Sequence, residues 1–196
     1  FSIACVVIAL YHLAYLPLYV WLLIIACGVL TAMYALPVLP GMRNLRSMGL
    51  LKVFMVALVW ALATVWIPVW DHPGMPAWDV QVEGLQRLLW VFLLMLPFEI
   101  RDMKVDPPAI RTIPQRFGIP TTRRIAWSGV LLFVACTFLK DSLVEGELLS
   151  KAVTGLLMGL AVARATEKQG RYYASFWVEG IPVVSLILLV FFGEVI

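Results

Sequence analysis

Three acids and four bases share one short stretch of this chain, Pro97 to Gly118, PFEIRDMKVDPPAIRTIPQRFG. The acids Glu99, Asp102 and Asp106 are spaced i, i+3, i+7, so a helix running through them would carry all three on one face. Arg101, Lys104, Arg111 and Arg116 are interleaved with them. Magnesium typically binds one or two carboxylates, keeps water and completes its shell with substrate phosphates. Arginine and lysine hold phosphate oxygens directly. The residue types therefore point to a magnesium and diphosphate site, with Glu99, Asp102 and Asp106 as metal candidates. The plainer alternative is a solvated loop in which acids and bases neutralise one another.

The rest of the chain says where such a site must lie. Hydrophobic residues make up 62% of the sequence, and the first charged residue is Arg43. A helix needs about 20 apolar residues to cross the hydrocarbon core. The mean hydropathy of +0.93 excludes an ordinary soluble domain. Long runs such as Leu18 to Ala35 lack the alternation of a β-barrel. The expected fold is all-α, a polytopic transmembrane bundle forming a single domain over 1–196. Cys5, Cys27 and Cys136 lie in apolar runs without CxxC or Cys/His spacing, which indicates neither disulfides nor zinc. Nothing points to nucleic acid; the expected surroundings are membrane lipids.

Seven spans are expected, near 1–14, 17–37, 50–70, 84–100, 121–139, 150–165 and 172–193. The first run has no charged n-region and reads as a helix cut part-way, with further residues expected upstream of Phe1. Alternate links carry Arg43, Arg46 and Lys52, then the bases from Arg101 to Arg124, then Arg164, Lys168 and Arg171. The other links and the C-terminal end hold only Arg87, Lys140 and Lys151 among bases, and collect Asp71, Asp79, Glu83, Asp141, Glu145, Glu147 and Glu194. The positive-inside rule then puts the 97–118 stretch in the cytoplasm and the C-terminus outside, in a cell inner membrane.

Asp106 precedes Pro107, which disfavours helical backbone at Asp106, so the fourth helix should end there. Acids at a helix C-terminus oppose the macrodipole, and a bound divalent cation would remove that conflict. Glu179 lies within the last span, where a carboxylate marks a cavity candidate by default or a hydrogen-bonded glutamate otherwise. His12, alone in an apolar run, reads as a hydrogen-bonded core histidine, and His72 as a turn residue. Gly155 and Gly159 offer a small-residue packing face.

The stretch FEIRDMKVDPPAIRTIPQRFG resembles the second aspartate-rich motif of the UbiA superfamily of intramembrane prenyltransferases, roughly D-I-R-D-x-x-x-D-x-x-x-G-x-x-T-x-P-x-x-x-G. Glu99 takes the first acidic place, Asp102 and Asp106 match the paired aspartates, Arg101 matches the intervening base, and Thr112, Pro114 and Gly118 match the tail. The family's glycine after the last aspartate is missing here, where Pro107, Pro108, Ala109 and Ile110 stand. Tyr34 to Trp60 is similar to the family's fourth-to-fifth helix connection, and Tyr172 to Leu189, with Glu179-Gly180, to its last helix. The seven spans would then be the third to ninth of nine helices.

The resemblance implies transfer of an isoprenyl group from its diphosphate to an aromatic or other lipophilic acceptor, in quinone or lipid biosynthesis. It implies Mg2+ on Asp102 and Asp106 with Glu99 in support, and phosphate contacts from Arg101, Lys104, Arg111 and from Arg43 or Arg46. The family's first motif, N-D-x-x-D-x-x-x-D, is missing: Asn44 is the only asparagine and no acid precedes Asp71. Two readings follow. The first motif lies upstream of Phe1 and the protein is a prenyltransferase, or the chain is a degenerate UbiA-like subunit acting as scaffold or lipid-binding element among other membrane subunits.

Overall fold

The computed structural model describes residues 2–36, 48–70, 76–144, 146–170 and 172–194. Every regular element among them is helical. We number the helices α1 (Ser2–Ala14), α2 (Leu18–Ala35), α3 (Gly49–Val69), α4 (Trp78–Asp102), α5 (Ile113–Leu139) and α6 (Glu147–Arg164), with α7 built from a π-helical stretch, Tyr173–Val178, and an α-helix, Ile181–Glu194. Each coincides with an expected span. Five are long and apolar enough to cross a membrane: α2, α3, α4, α5 and α7. α1 has 13 residues, about 20 Å of helix, which is short of a hydrocarbon core about 30 Å thick. α6 carries Glu147, Lys151 and Arg164 along its 18 residues.

α4 is the hub. It packs against α3 on one flank and α5 on another, and also reaches α6. Leu93, Leu96 and Ile100 of α4 form one core with Val130 and Phe133 of α5 and Met158 of α6. These side chains are 6% exposed or less, while Ile3, Leu18 and Leu22 on α1 and α2 are more than half exposed. An apolar exterior around a buried core is the pattern expected of a helix bundle facing lipid. α4 is longer than the expected 84–100 because its first two turns, from Trp78, carry Asp79 and Glu83, whose charges sequence reading assigns to a link.

Two expectations are corrected here. α4 ends at Asp102, one turn before Asp106; the backbone N–H groups of Val105 and Asp106 close a turn onto Asp102 O at 2.9 and 2.8 Å. Pro107 explains the stop, and Glu99, Asp102 and Asp106 therefore do not share one helical face. His12 is exposed on peripheral α1, its ring edge-on to Tyr11 with centroids 5.6 Å apart, and is not in the core. α5 also differs from a plain span: Gly118 has φ 77°, ψ 160°, a conformation open to glycine, and breaks the helix so that Ile113–Phe117 lie at an angle to the spanning part.

Candidate functional site

The end of α4 is met by the beginning of α3, because the two helices run antiparallel. Lys52 sits in the first turn of α3, where a cation opposes the helix dipole; Glu99 sits in the last turn of α4, where an anion does. Side by side they cancel each other's misplacement. Lys52 Nζ lies 2.6 Å from Glu99 Oε1 and 3.4 Å from Asp106 Oδ2. The side chains of Lys52 and Glu99 are only 13% and 4% exposed, so the pair is shielded from water. The other oxygen, Glu99 Oε2, is buried with no hydrogen-bond partner.

Asp102 is held apart from this cluster. Arg101 grips it in a fork, Nε to Oδ1 at 2.6 Å and the terminal nitrogen to Oδ2 at 2.9 Å, and the guanidinium lies over the Phe98 ring at 5.3 Å. Lys104 reaches across to Glu167, beyond α6, at 2.5 Å. Glu179 is exposed, lines an open groove of about 620 Å3 with Phe176 and Trp177, and is near enough to act on the charge of Arg101. Arg43 and Arg46 lie outside the described residues.

The segment after α4 is clasped by one side chain. Gln115 donates from Nε2 to Met103 O at 3.0 Å and Asp106 O at 2.9 Å, and its Oε1 accepts the Thr112 N–H at 3.1 Å. Arg111 adopts the left-handed conformation, φ 54°, and lines a cleft of about 540 Å3 with Met103, Gln115, Pro120 and Glu167. Gly49, with φ 36°, lets the start of α3 press against the carbonyls of Ile110 and Arg111; a Cβ there would stand 2.5 Å from both oxygens.

The fit to magnesium follows from these distances. Among the described residues no three carboxylate, imidazole or thiol groups converge as a ligand set. Two of the expected acids, Glu99 and Asp106, do share a cation position, and the ammonium of Lys52 stands in it. The third, Asp102, is committed to Arg101. A metal on Glu99 and Asp106 would have to exchange with Lys52. The charge conflict that made a metal attractive at the α4 terminus is met by the chain's own lysine. Sequence reading counts Lys52 only as a link base; a lone lysine one turn into an apolar run is the signal that marks it.

A second polar cluster lies at the opposite end of α4. Lys140 binds Glu83 Oε2 at 2.9 Å and also Glu147; Lys151 binds Glu83 Oε2 at 2.8 Å, Glu147 Oε1 at 2.7 Å and Gln86 Oε1 at 2.5 Å. Gln86 is fully buried and donates to Phe133 O and Thr137 Oγ1 at 2.8 and 2.9 Å. Asp79 accepts from the N–H groups of Asp141 and Ser142. Burial pulls the Lys140 pKa down, but its bonds to Glu147 and Glu83 outweigh this and raise it above the usual lysine range. Glu83, Gln86, Arg87 and Trp90 are spaced i, i+3, i+4, i+7, a polar stripe on an apolar helix that sequence reading missed by starting the span at 84.

Comparison with protein-family models, curated proteins and solved structures gives no match for this chain. The UbiA resemblance thus stands on the residues of the 97–118 stretch and its two supporting segments.

Proposed function

We propose that this is a UbiA-like intramembrane protein that binds an isoprenyl diphosphate where α4 emerges and transfers the isoprenyl group to an aromatic or lipid acceptor. The observation that supports this reading is the buried Glu99–Lys52–Asp106 cluster beside the Arg101–Asp102 fork. It gathers alternating charge at one end of a spanning helix, with a cleft open on Arg111 next to it. Arg111 lines the cleft, and Lys52, Arg101 and Lys104 would reach the diphosphate by leaving Glu99, Asp102 and Glu167. In the transfer, the bond from the isoprenyl carbon to diphosphate oxygen breaks, a bond to the acceptor forms, the acceptor loses a proton and inorganic diphosphate leaves. Magnesium would supply charge to the leaving diphosphate; Glu99 and Asp106 would hold it only in exchange with Lys52, and Asp102 only on release from Arg101. The charge asymmetry of the links supports an inner-membrane protein with this end in the cytoplasm.

A second reading has a specific observation in its favour. Lys52 already fills the cation position between Glu99 and Asp106, which suits a UbiA-like subunit that keeps the bundle without turnover. Membranes containing the full-length protein, supplied with labelled farnesyl or geranylgeranyl diphosphate and Mg2+, separate the two. Release of diphosphate that falls by about two orders of magnitude in Asp102→Ala/Asp106→Ala supports the enzyme. Unchanged release in that double variant overturns it. No release from the wild type, with stable co-purification of other membrane subunits, supports the scaffold.

A further inference from the structure

The polar cluster at the far end of α4 is balanced except at one residue. Glu83 Oε2 is shared by Lys140 and Lys151, and Glu147 takes the same two lysines. Arg87, one turn deeper on α4, forms no ion pair with these carboxylates, though Glu83 is near enough to act on its charge. Its Nε is buried and without a partner. Its guanidinium lies over the Trp90 ring, 4.3 Å from the centroid, and the Trp90 indole N–H is likewise buried and without a partner. A guanidinium cannot shed its proton, so a half-buried arginine with a shielded, unpartnered Nε favours an anion beside it.

Both residues line a cavity of about 290 Å3 between α4, α5, α6 and α7. Ser150 adds a hydroxyl to its wall, Lys151 and Glu83 add an ammonium and a carboxylate already paired with each other, and Leu186 and Leu189 of α7 make an apolar side. Those two leucines are exposed on the outside of the bundle, so the apolar side continues into lipid. The occupant that matches is an amphiphile: one negative oxygen-rich group against Arg87 and the Trp90 N–H, and an acyl chain along Leu186 and Leu189. The guanidinium fork suits a phosphate diester.

From the two unpartnered donors and the shape of this cavity, we propose that it binds the phosphate headgroup of an anionic phospholipid, at the end of the bundle opposite Glu99. The proposal does not depend on prenyl transfer.

The test is native mass spectrometry of the full chain released from detergent after equilibration with phosphatidylglycerol and phosphatidylcholine in equal amounts. The wild type is expected to retain one phosphatidylglycerol, favoured about tenfold, because only the net-negative headgroup neutralises Arg87. Arg87→Gln is expected to lose that preference and Trp90→Phe, which keeps the ring but drops the donor, to lower retention several-fold, about 3-fold or more. Equal retention in wild type and Arg87→Gln overturns the proposal. Should Arg87→Gln not fold, Arg87→Lys and Trp90→Phe decide: retention unchanged in both overturns it. A parallel thermal-shift series with inorganic phosphate tests the other source. Stabilisation by phosphate that depends on Arg87, with no lipid retained, assigns the site to a free anion and overturns the lipid.

Discussion

Lys52 Nζ stands 2.6 Å from Glu99 Oε1, joining the first turn of one spanning helix to the last turn of the next. With the Glu99 side chain only 4% exposed, the lysine is what makes an ionised glutamate tolerable there. Lys52→Met should therefore lower stability by about 3 kcal/mol, and adding Glu99→Gln should recover most of the loss, since no uncompensated charge then remains buried. Unfolding of the single and double variants in detergent measures the coupling; equal losses in Lys52→Met and the double variant would show that the pair contributes nothing.

Gly49 offers a sharper contrast. A Cβ at this positive-φ residue would meet two backbone oxygens at 2.5 Å, and backbone cannot swing aside. Gly49→Ala should cost at least about 2 kcal/mol. Gly28, in the middle of lipid-facing α2 with nothing within 4 Å of an added Cβ, should accept alanine with a change within about 0.5 kcal/mol. Parallel thermal unfolding of the two variants checks both.

Gln115 can be tested by an isosteric change. Gln115→Glu keeps the acceptor for the Thr112 N–H but replaces the donor to Met103 O and Asp106 O with oxygen. A loss of about 2 kcal/mol is expected, from two carbonyls losing their donor and facing a carboxylate. Limited proteolysis within 103–112 should become markedly faster, and an unchanged cleavage rate would show that the clasp is dispensable.

The Lys140 ionisation predicts a pH dependence. Its folded-state pKa is raised above the ordinary 10.5, so its contribution is fully present below pH 10.5 and disappears as pH climbs through the higher folded value. Wild type and Lys140→Met should therefore differ in melting temperature by a constant amount from about pH 7 to about pH 9, and the gap should narrow only above about pH 11. A gap that closes between neutral pH and about pH 9 would contradict the assignment.

The helices were largely legible in the sequence because long apolar runs act locally; their ends were less so, since α4 begins at Trp78 and stops at Asp102 and not at Asp106. What was not legible is pairing across helices. Periodicity places Glu99, Asp102 and Asp106 near one another along a chain, but it cannot say that Arg101 turns Asp102 aside or that Lys52 arrives from α3. The far cluster shows the same limit. Glu83 and Arg87 were visible as charges, yet the buried Gln86 that ties α4 to α5 and α6 carries no charge to draw notice. A stripe of polar residues at helical spacing was the available clue, and starting the span at 84, nearly two turns after Trp78, concealed it.

The close seat of Gly49 on the Ile110 and Arg111 carbonyls has a mechanical meaning. Lys52 lies less than one turn further along the same helix, so the seat that fixes α3 against the proline-stiffened segment also fixes where the lysine side chain starts. A push on residues 107–112, from whatever docks beside Arg111, would act as a lever on α3 and draw the ammonium along or away from Glu99.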